Sequence, residues 1–192
     1  MSEDEVDDLW QVIEKYYKKN GRYYHNLEHL QFVYDQLCGV EDLLKDSPSC
    51  MIAVFYHDII YSIFSKDNEF RSAQFAERQL SKCKAFSLDI THLKELICAT
   101  QLTYTYAHPD SDFLCDADLA ILGSRTPIYE EYRANIRKEY SIYPDFLFNK
   151  GRARLLEFLL RQKSLFKTEY FKDKYEELAR QNIEKELQII TS

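Results

Sequence analysis

The most apolar stretch of the chain is residues 50–64, CMIAVFYHDIIYSIF, and two adjacent ionisable residues, His57 and Asp58, interrupt it at its middle. Burying a carboxylate among such apolar neighbours is costly unless the carboxylate is paired or binds a metal ion. The stretch is shorter than the roughly 20 apolar residues that a membrane-spanning helix needs. It therefore predicts a buried core helix that presents a His–Asp pair to a partner.

Composition favours a helical protein. The chain has 192 residues, of which 45% are hydrophobic, so it is long and apolar enough to bury a core. Its four glycines and four prolines are too few for a turn-rich β fold. Apolar residues recur at helical spacing along most of the chain, so we expect an all-α bundle of about eight or nine helices. A single domain is expected over residues 1–192.

Capping residues predict where several helices begin and end. Asn26 is expected to cap a helix that runs to Cys38, and Asp89 to cap a later one. Ser47 followed by Pro48 is typical of a helix start, with Ser47 as the cap of the central helix. The first eight residues are expected to fray, and Phe70 is expected to be buried. A helix is expected over residues 113–122, ended by Gly123, and two more should start at Thr126–Pro127 and at Pro144–Asp145. The second of these should run to about Leu165, and a final amphipathic helix should follow it.

Charge and cysteine content limit the classes of function. The net charge of −7 argues against general nucleic-acid binding, since proteins of that class carry basic surfaces. The cysteines are odd in number and show no CxxC spacing. Because the N-terminus also lacks the pattern of a secretory signal, we expect reduced thiols in a cytoplasmic protein without membrane contact. These cysteines are Cys38, Cys50, Cys83, Cys98 and Cys115.

Three clusters of histidine and aspartate stand at helix starts or inside apolar segments. Imidazole and carboxylate groups are ligands of divalent metal ions, and together the clusters would supply a mixed nitrogen and oxygen site. The residues alone equally allow a buried ion pair and core histidines with satisfied hydrogen bonds, the interpretation that we also give His92 and His108. The clusters are His25 with His29, His57 with Asp58, and Asp116 with Asp118.

The order of four of these residues along the chain resembles the H…HD…D signature of the HD-domain superfamily, whose members are all-α, metal-dependent phosphohydrolases. The four residues are His29, His57, Asp58 and Asp118. Further motifs are similar to a subgroup described as predicted HD-superfamily phosphohydrolases, and together they cover residues 22–187. These motifs are RxYHNxxH from Arg22, FYHD from Phe55, DNExxSA from Asp67, DADLAILG from Asp116, IRxEY from Ile136, GR from Gly151 and ARxN from Ala179.

The resemblance implies a metal-binding hydrolase with one divalent ion, which would be Mn, Fe, Co, Ni, Zn or Mg. The segment from Tyr24 to His29 is also similar to the YHNxxH motif of cyclic-nucleotide phosphodiesterases, in which the second histidine binds metal and the first donates a proton. His25 is therefore expected to be the general acid, and Asp58 to be catalytic as well. The implied ligands are His29, His57, Asp58 and Asp118. Positions expected to hold substrate or to orient the ligands are Arg22, Tyr24, Asn26, Asn68, Glu69 and Asp116, with Asp116 not expected to bind the metal.

The sequence differs from the families that it resembles at positions that determine which reaction those families catalyse. Gln101 follows Ala99–Thr100, where members of the family often carry a histidine, so a mononuclear site is expected. Tyr61–Ser62 stands where the guanosine-alarmone hydrolases have a Glu–Asp pair. The second metal-binding histidine of the phosphodiesterases has no counterpart just after Asp58. Neither of those two activities is therefore expected.

The expected reaction is hydrolysis of a phosphate ester by metal-activated water. The expected partner is a small, nucleotide-like molecule, while homo-oligomerisation is left open. Two alternatives remain, a non-catalytic regulatory module that binds metal and a di-iron oxygenase of the HD type. The second needs additional histidine ligands, and only His92 and His108 are unassigned.

Overall fold

A computed structural model describes residues 3–82 and 88–191 of the chain, and these residues form nine α-helices without a strand. The all-α prediction is therefore confirmed. Within the described ranges, no helix combines the length and the apolar composition needed to cross a membrane. The helices are α1 (Glu3–Tyr17), α2 (Leu27–Cys38), α3 (Ser47–Tyr56), α4 (Asn68–Leu80), α5 (Ile90–Ala99), α6 (Pro109–Leu119), α7 (Thr126–Glu139), α8 (Asp145–Leu160) and α9 (Glu169–Thr191).

The chain divides into two compact units, Met1–Cys115 and Asp116–Ser192. The first unit holds α1 to α5 and most of α6. In it, α3 packs against α2, α4 and α5, and its side chains Ala53 and Val54 are fully buried. The opposing helices contribute apolar side chains such as Val33 and Leu93, so that α3 lies in the middle of the core of this unit.

The second unit is built from α7, α8 and α9 around a 3₁₀ turn, Ala120–Gly123, that follows α6. The turn packs closely against α9. The Nδ2 atom of Asn182 donates hydrogen bonds to the carbonyl oxygens of Leu122 at 2.9 Å and Ser124 at 2.8 Å. A buried ion pair joins Arg152 of α8 to Glu186 of α9, with Nε and Oε1 2.9 Å apart.

Two of the predicted caps are confirmed, and one is wrong. The Asn26 side chain accepts hydrogen bonds at the start of α2, and Asp89 accepts one from the His92 N–H at the start of α5. For α3 the cap is Asp46 instead of Ser47, because the Asp46 carboxylate accepts the Ser49 N–H at 3.2 Å and the Ser49 hydroxyl at 2.6 Å. An aspartate oxygen thus satisfies the helix end one residue earlier than predicted.

Residues 50–64 do not form one helix, so the expected core helix is wrong beyond Tyr56, where α3 ends. The residues that follow α3 differ in solvent exposure, since Ile59 is fully buried whereas Phe64 is 68% exposed. Side chains from other parts of the chain form hydrogen bonds with backbone groups that a longer helix would have paired. The Asp58 N–H donates to the Tyr17 hydroxyl at 3.2 Å, which holds the chain in its new direction.

The remaining differences have local causes. Helix α1 begins at Glu3 instead of after the acidic segment, because acidic residues in a first turn stabilise the positive end of the helix dipole. Helix α6 begins at Pro109 instead of residue 113, since proline is favoured at a first helical position. Phe70 is 55% exposed, because Ala73 and the small residues that follow it form the buried face of α4. Helix α8 ends at Leu160 rather than near residue 165, whereas the predicted starts of α7 and α8 are confirmed.

Cysteine side chains form no disulfide with one another among the described residues, in agreement with the predicted thiols. Cys50 and Cys115 are buried, and Cys38 is exposed. Burial raises the pKa of the Cys50 thiol well above its ordinary value, with the carboxylates of Asp110 and Asp46 adding to the effect. Cys83 lies outside the described residues.

Two glycines of the second unit make a matched test of its packing. A Cβ atom on Gly123 would lie 2.6 Å from the Tyr175 Cβ and 2.7 Å from the Tyr175 carbonyl oxygen, whereas one on Gly151 would meet nothing within 4 Å. We expect Gly123→Ala to lower the free energy of unfolding by about 1–3 kcal/mol through overpacking. Gly151→Ala, inside α8, should raise it by about 0.5–1 kcal/mol. Urea denaturation measures both, and equal effects would contradict the close approach at Gly123.

Candidate metal centre

The orientation of His57 is set by the backbone of α3. Its Nδ1 lies 2.7 Å from the carbonyl oxygen of Val54, one helical turn earlier. A carbonyl can only accept, so Nδ1 carries the proton and donates it there, which makes Nε2 of the neutral ring the nitrogen that accepts a hydrogen bond or binds a metal ion. The side chain is 1% exposed. The end of α3 therefore presents one buried nitrogen ligand in a defined direction.

Three atoms with lone pairs converge at this point. The His57 Nε2 lies 3.1 Å from the His29 Nε2 and 3.2 Å from the Asp58 Oδ2, and the His29 Nε2 lies 3.7 Å from the same oxygen. Ligands held about 2.0–2.1 Å from one ion are roughly 2.9–3.4 Å apart in octahedral or tetrahedral geometry. Two of the three separations fall in this range and the third is slightly longer. The three side chains thus have the spacing and the chemistry of a metal-binding group.

His29 reaches this position because of the cap at Asn26. The Asn26 Oδ1 accepts the N–H groups of Glu28 at 2.9 Å and His29 at 3.2 Å, which starts α2 at Leu27. His29 therefore lies in the first turn, where its side chain is buried. Asn26 thus fixes the helix start that carries His29, and its predicted role in holding substrate or orienting a ligand stays a prediction.

The charge of Asp58 is compatible with ligand chemistry. Burial by itself would raise the pKa of this carboxyl, but the neighbouring imidazoles of His57, His25 and His29 outweigh burial and hold the pKa well below its usual range. The group is therefore anionic at neutral pH. An anionic oxygen beside two imidazole nitrogens is a donor set that divalent transition ions accept.

His25 stands next to this group but outside the helix that carries His29. Its Nε2 is 3.9 Å from the Asp58 Oδ2, and its side chain is 18% exposed. The ring stacks on that of Tyr61, with centroids 4.0 Å apart, and meets the ring of Tyr24 edge-on at 5.0 Å. Two aromatic neighbours thus fix the imidazole while one flank stays accessible to solvent.

Arg22 ties together the two segments that bear His25 and Asp58. Its Nη1 donates to the carbonyl oxygens of His25 at 3.0 Å and Asp58 at 2.8 Å, and its Nη2 donates to that of Ile59 at 2.9 Å. The guanidinium also lies over the ring of Tyr17, 4.8 Å from its centroid. Arg22 thus holds the backbone beside these two residues, and its predicted role in holding substrate or orienting ligands stays a prediction.

Helix α4 holds the loop that follows Asp58. The Asn68 side chain pairs with both backbone groups of Ser62, accepting its N–H at 3.1 Å and donating to its carbonyl at 3.0 Å. The Ser72 hydroxyl forms the same kind of pair with Ile60, at 3.1 and 3.2 Å. Asn68 thus acts on the loop, while Glu69 lies half-buried on the same helix and its predicted role stays a prediction.

The two acidic residues at the end of α6 belong to the second unit and differ in their surroundings. Asp116 is fully buried, and its carboxylate accepts hydrogen bonds from three donors, the backbone N–H groups of Lys167 and Thr168 and the Thr168 hydroxyl. These bonds hold the residues before α9, so Asp116 has a structural role. Asp118 is half-buried, and its ligand role stays a prediction of the resemblance.

Three contributors escaped the sequence reasoning, namely Tyr17, Tyr61 and Ser72. Tyr17 and Tyr61 act through a hydroxyl and a ring face, and nothing in their spacing distinguishes them from ordinary core aromatics. Ser72 belongs to the DNExxSA motif, and a small polar residue on the buried face of a helix is a signal for a backbone contact. The described residues therefore include histidine and aspartate groups that could hold a metal ion, supported by neighbours that position them.

Comparisons with known proteins add no family to this description. No family model matches the chain, no curated protein matches it, and no solved structure matches it.

Arg22→Lys tests whether the guanidinium positions the candidate ligands. A lysine ammonium cannot reach three carbonyls at once, so we expect the free energy of unfolding to fall by about 1–3 kcal/mol. The affinity for a divalent ion should fall by at least about tenfold, since misplaced ligands bind weakly. Urea denaturation and calorimetric titration with Zn²⁺ provide the two measurements. Arg71→Lys, on the exposed face of α4, is the matched control, and equal behaviour of the two variants would refute a positioning role for Arg22.

Proposed function

We propose that the protein is a metal-dependent phosphohydrolase that acts on small phosphate esters. The observation that carries the proposal is the convergence of the His29 Nε2, the His57 Nε2 and the Asp58 Oδ2 within 3.7 Å of one another. The resemblance of the sequence motifs to HD-domain phosphohydrolases supports the same function. Two further predictions from the sequence accompany it, a nucleotide-like substrate and a cytoplasmic location.

The donor set narrows the choice of metal. His29, His57 and Asp58 would hold the ion through two nitrogens and one oxygen, which suits Mn, Fe, Co, Ni or Zn. Mg²⁺ prefers oxygen ligands and water, so the two imidazoles disfavour it. Three protein ligands leave coordination positions for water or substrate, as catalytic sites require. When bound, such an ion makes water a nucleophile at neutral pH and polarises a phosphoryl oxygen.

In the proposed reaction His25 moves a proton and does not bind the metal. Imidazole gains and loses a proton near neutral pH, so His25 can protonate the leaving oxygen of an ester as the bond to phosphorus breaks. Its stacking on Tyr61 keeps the ring from turning, and its accessible flank leaves room for a substrate. Asp58, 3.9 Å away, would stabilise the positive charge that the ring carries before the transfer.

Asp58→Asn is the direct test of the metal-dependent reaction. The substitution keeps the shape of the side chain but removes the anionic ligand, so we expect the variant to bind one divalent ion per chain fewer than the wild-type protein. Hydrolysis should fall roughly 100-fold or more along with the metal. Elemental analysis gives the metal content, and a screen of p-nitrophenyl phosphate, bis(p-nitrophenyl) phosphate, nucleoside monophosphates and cyclic nucleotides gives the activity.

Asp35→Asn provides a matched carboxylate control, because Asp35 lies on the exposed face of α2, where its Oδ1 accepts a hydrogen bond from the Gln31 Nε2 at 2.7 Å. This variant should keep both the metal and the activity. Equal hydrolysis by the wild-type and Asp58→Asn proteins would refute the proposal. Metal binding that depends on Asp58, without turnover of any substrate in the screen, would instead indicate the non-catalytic regulatory module.

His25→Asn separates proton donation from metal binding. We expect kcat to fall by roughly 10²–10⁴-fold for nucleotide substrates, whose leaving oxygens need a proton. The fall should be much smaller for p-nitrophenyl esters, because p-nitrophenolate leaves without protonation. Steady-state kinetics on both substrate classes, with elemental analysis of the variant, checks this. Loss of the metal, or an equal fall for both leaving groups, would show that His25 is not the general acid.

A further inference from the structure

A second group of ionisable side chains occurs in the first unit, made of residues that the proposed reaction does not use. One ligand atom each of His92, His108 and Asp110 lies within 4.8 Å of the other two. His92 is in the first turn of α5, His108 directly precedes α6, and Asp110 is in the first turn of α6. Two segments that are separate in the sequence, the start of α5 and the start of α6, thus bring two imidazoles and a carboxylate together.

Asp110 is a fully buried carboxylate. Its Oδ1 accepts the Lys45 N–H at 2.9 Å and its Oδ2 accepts the Asp46 N–H at 2.8 Å. Its Oδ2 also lies 3.9 Å from the His108 Nδ1, and that imidazole carries a positive charge only when both ring nitrogens are protonated. Two backbone donors use only part of the capacity of an ionised carboxylate, and burying such a charge is costly without a cation.

His92 has one nitrogen engaged and the other available. Its Nδ1 is 3.0 Å from the Tyr106 hydroxyl oxygen. The Nε2 is buried and makes no hydrogen bond to any described residue. When Nδ1–H donates to the hydroxyl, Nε2 has its lone pair free, and the Asp46 Oδ2 lies 4.0 Å from it. Histidines that bind metal are commonly fixed in this way through the second ring nitrogen.

His108 completes the group from the more exposed side. Its side chain is 28% exposed, its ring stacks on that of Tyr106, and its centroid lies 4.5 Å from that of His92. The Nδ1 accepts the Asp110 N–H at 3.3 Å, a long hydrogen bond. Aromatic contacts thus hold the ring in place. Its hydrogen bond from the Asp110 N–H is weak, so a metal ion can replace it as the partner of Nδ1.

We propose that this group is a second metal site, which binds Zn²⁺ and has a structural role. Its ligands are the three converging residues His92, His108 and Asp110, and the Asp46 carboxylate, whose Oδ2 lies 4.0 Å from the His92 Nε2, would join them as the fourth when the ion binds. Two imidazoles select a transition ion over Mg²⁺ or Ca²⁺, and four protein ligands match the closed tetrahedral coordination of structural zinc. The site is independent of the proposed hydrolase activity, because it shares no ligand with the candidate centre at His57.

Binding of Zn²⁺ at this site would hold together the starts of three helices of the first unit, α3, α5 and α6. Asp46 caps the start of α3, the helix that ends at His57, and it also receives the Ser49 hydroxyl. An ion held there would connect that cap to the beginnings of α5 and α6. Because the site forms only in the folded chain, Zn²⁺ should raise the melting temperature in a concentration-dependent manner.

The test uses full-length protein stripped of metal, with Zn²⁺ as the probe. In the Asp58→Asn background, which disables the first candidate centre, we expect a single Zn²⁺ per chain by elemental analysis after desalting. Adding His92→Asn to that background should abolish this binding, or weaken it at least tenfold in calorimetric titration. Glu95→Gln, on the same helix α5, is the matched control and should leave the single Zn²⁺ in place.

Undiminished Zn²⁺ binding after the His92 substitution would overturn the proposal, as would the absence of bound Zn²⁺ from the Asp58→Asn protein. Circular dichroism establishes that each variant keeps its helix content. Should His92→Asn unfold the chain, His108→Gln replaces it, because His108 is more exposed. That variant should lose most of the Zn²⁺-dependent rise in melting temperature, and an unchanged rise would equally overturn the site. Neither outcome depends on whether the protein hydrolyses phosphate esters.

Discussion

The structure of the first unit depends on one electrostatic constraint, which is the close approach of imidazole nitrogens and a carboxylate oxygen at a buried site. His29 and His57 point nitrogen atoms at each other, and the Asp58 carboxylate lies beside them. With Nδ1 of His57 committed to the Val54 carbonyl, the lone pairs between these groups can be satisfied only by protons or by a metal ion. The fold keeps this arrangement because it places the group at a helix end, where backbone contacts can hold it.

The change of direction after α3 explains how such a group is maintained. A helix continued through residues 57–64 would turn His57 and Asp58 to different faces, about 100° apart. Instead the chain leaves the helix, and Arg22 and Tyr17 pair with the backbone around Asp58. From the other side Ser72 pairs with Ile60. The apolar stretch that led to the prediction of one long helix therefore serves as a helix followed by a tightly held loop.

Local signals in the sequence were sufficient for the fold class and for most helix starts. Asn26 and Asp89 form their caps through contacts within three residues, so they can be recognised from the sequence alone. The end of α3 could not be predicted, because it depends on Arg22 and Tyr17, which are distant in the sequence. The group around Asp110 escaped for the same reason, since its parts come from separate segments and each histidine alone resembled an ordinary core residue.

The separation of His25 and His29 into different environments follows from a single side chain. Asn26 accepts two N–H groups of α2 through Oδ1, and its Nδ2 donates to the Tyr23 carbonyl at 3.0 Å. It therefore fixes the helix on one side and the preceding turn on the other. His29 enters the helix and is buried, whereas His25 stays in the turn with a solvent-accessible flank. One asparagine thus converts a four-residue spacing into two chemically different imidazoles, which is the division that a ligand and a proton donor require.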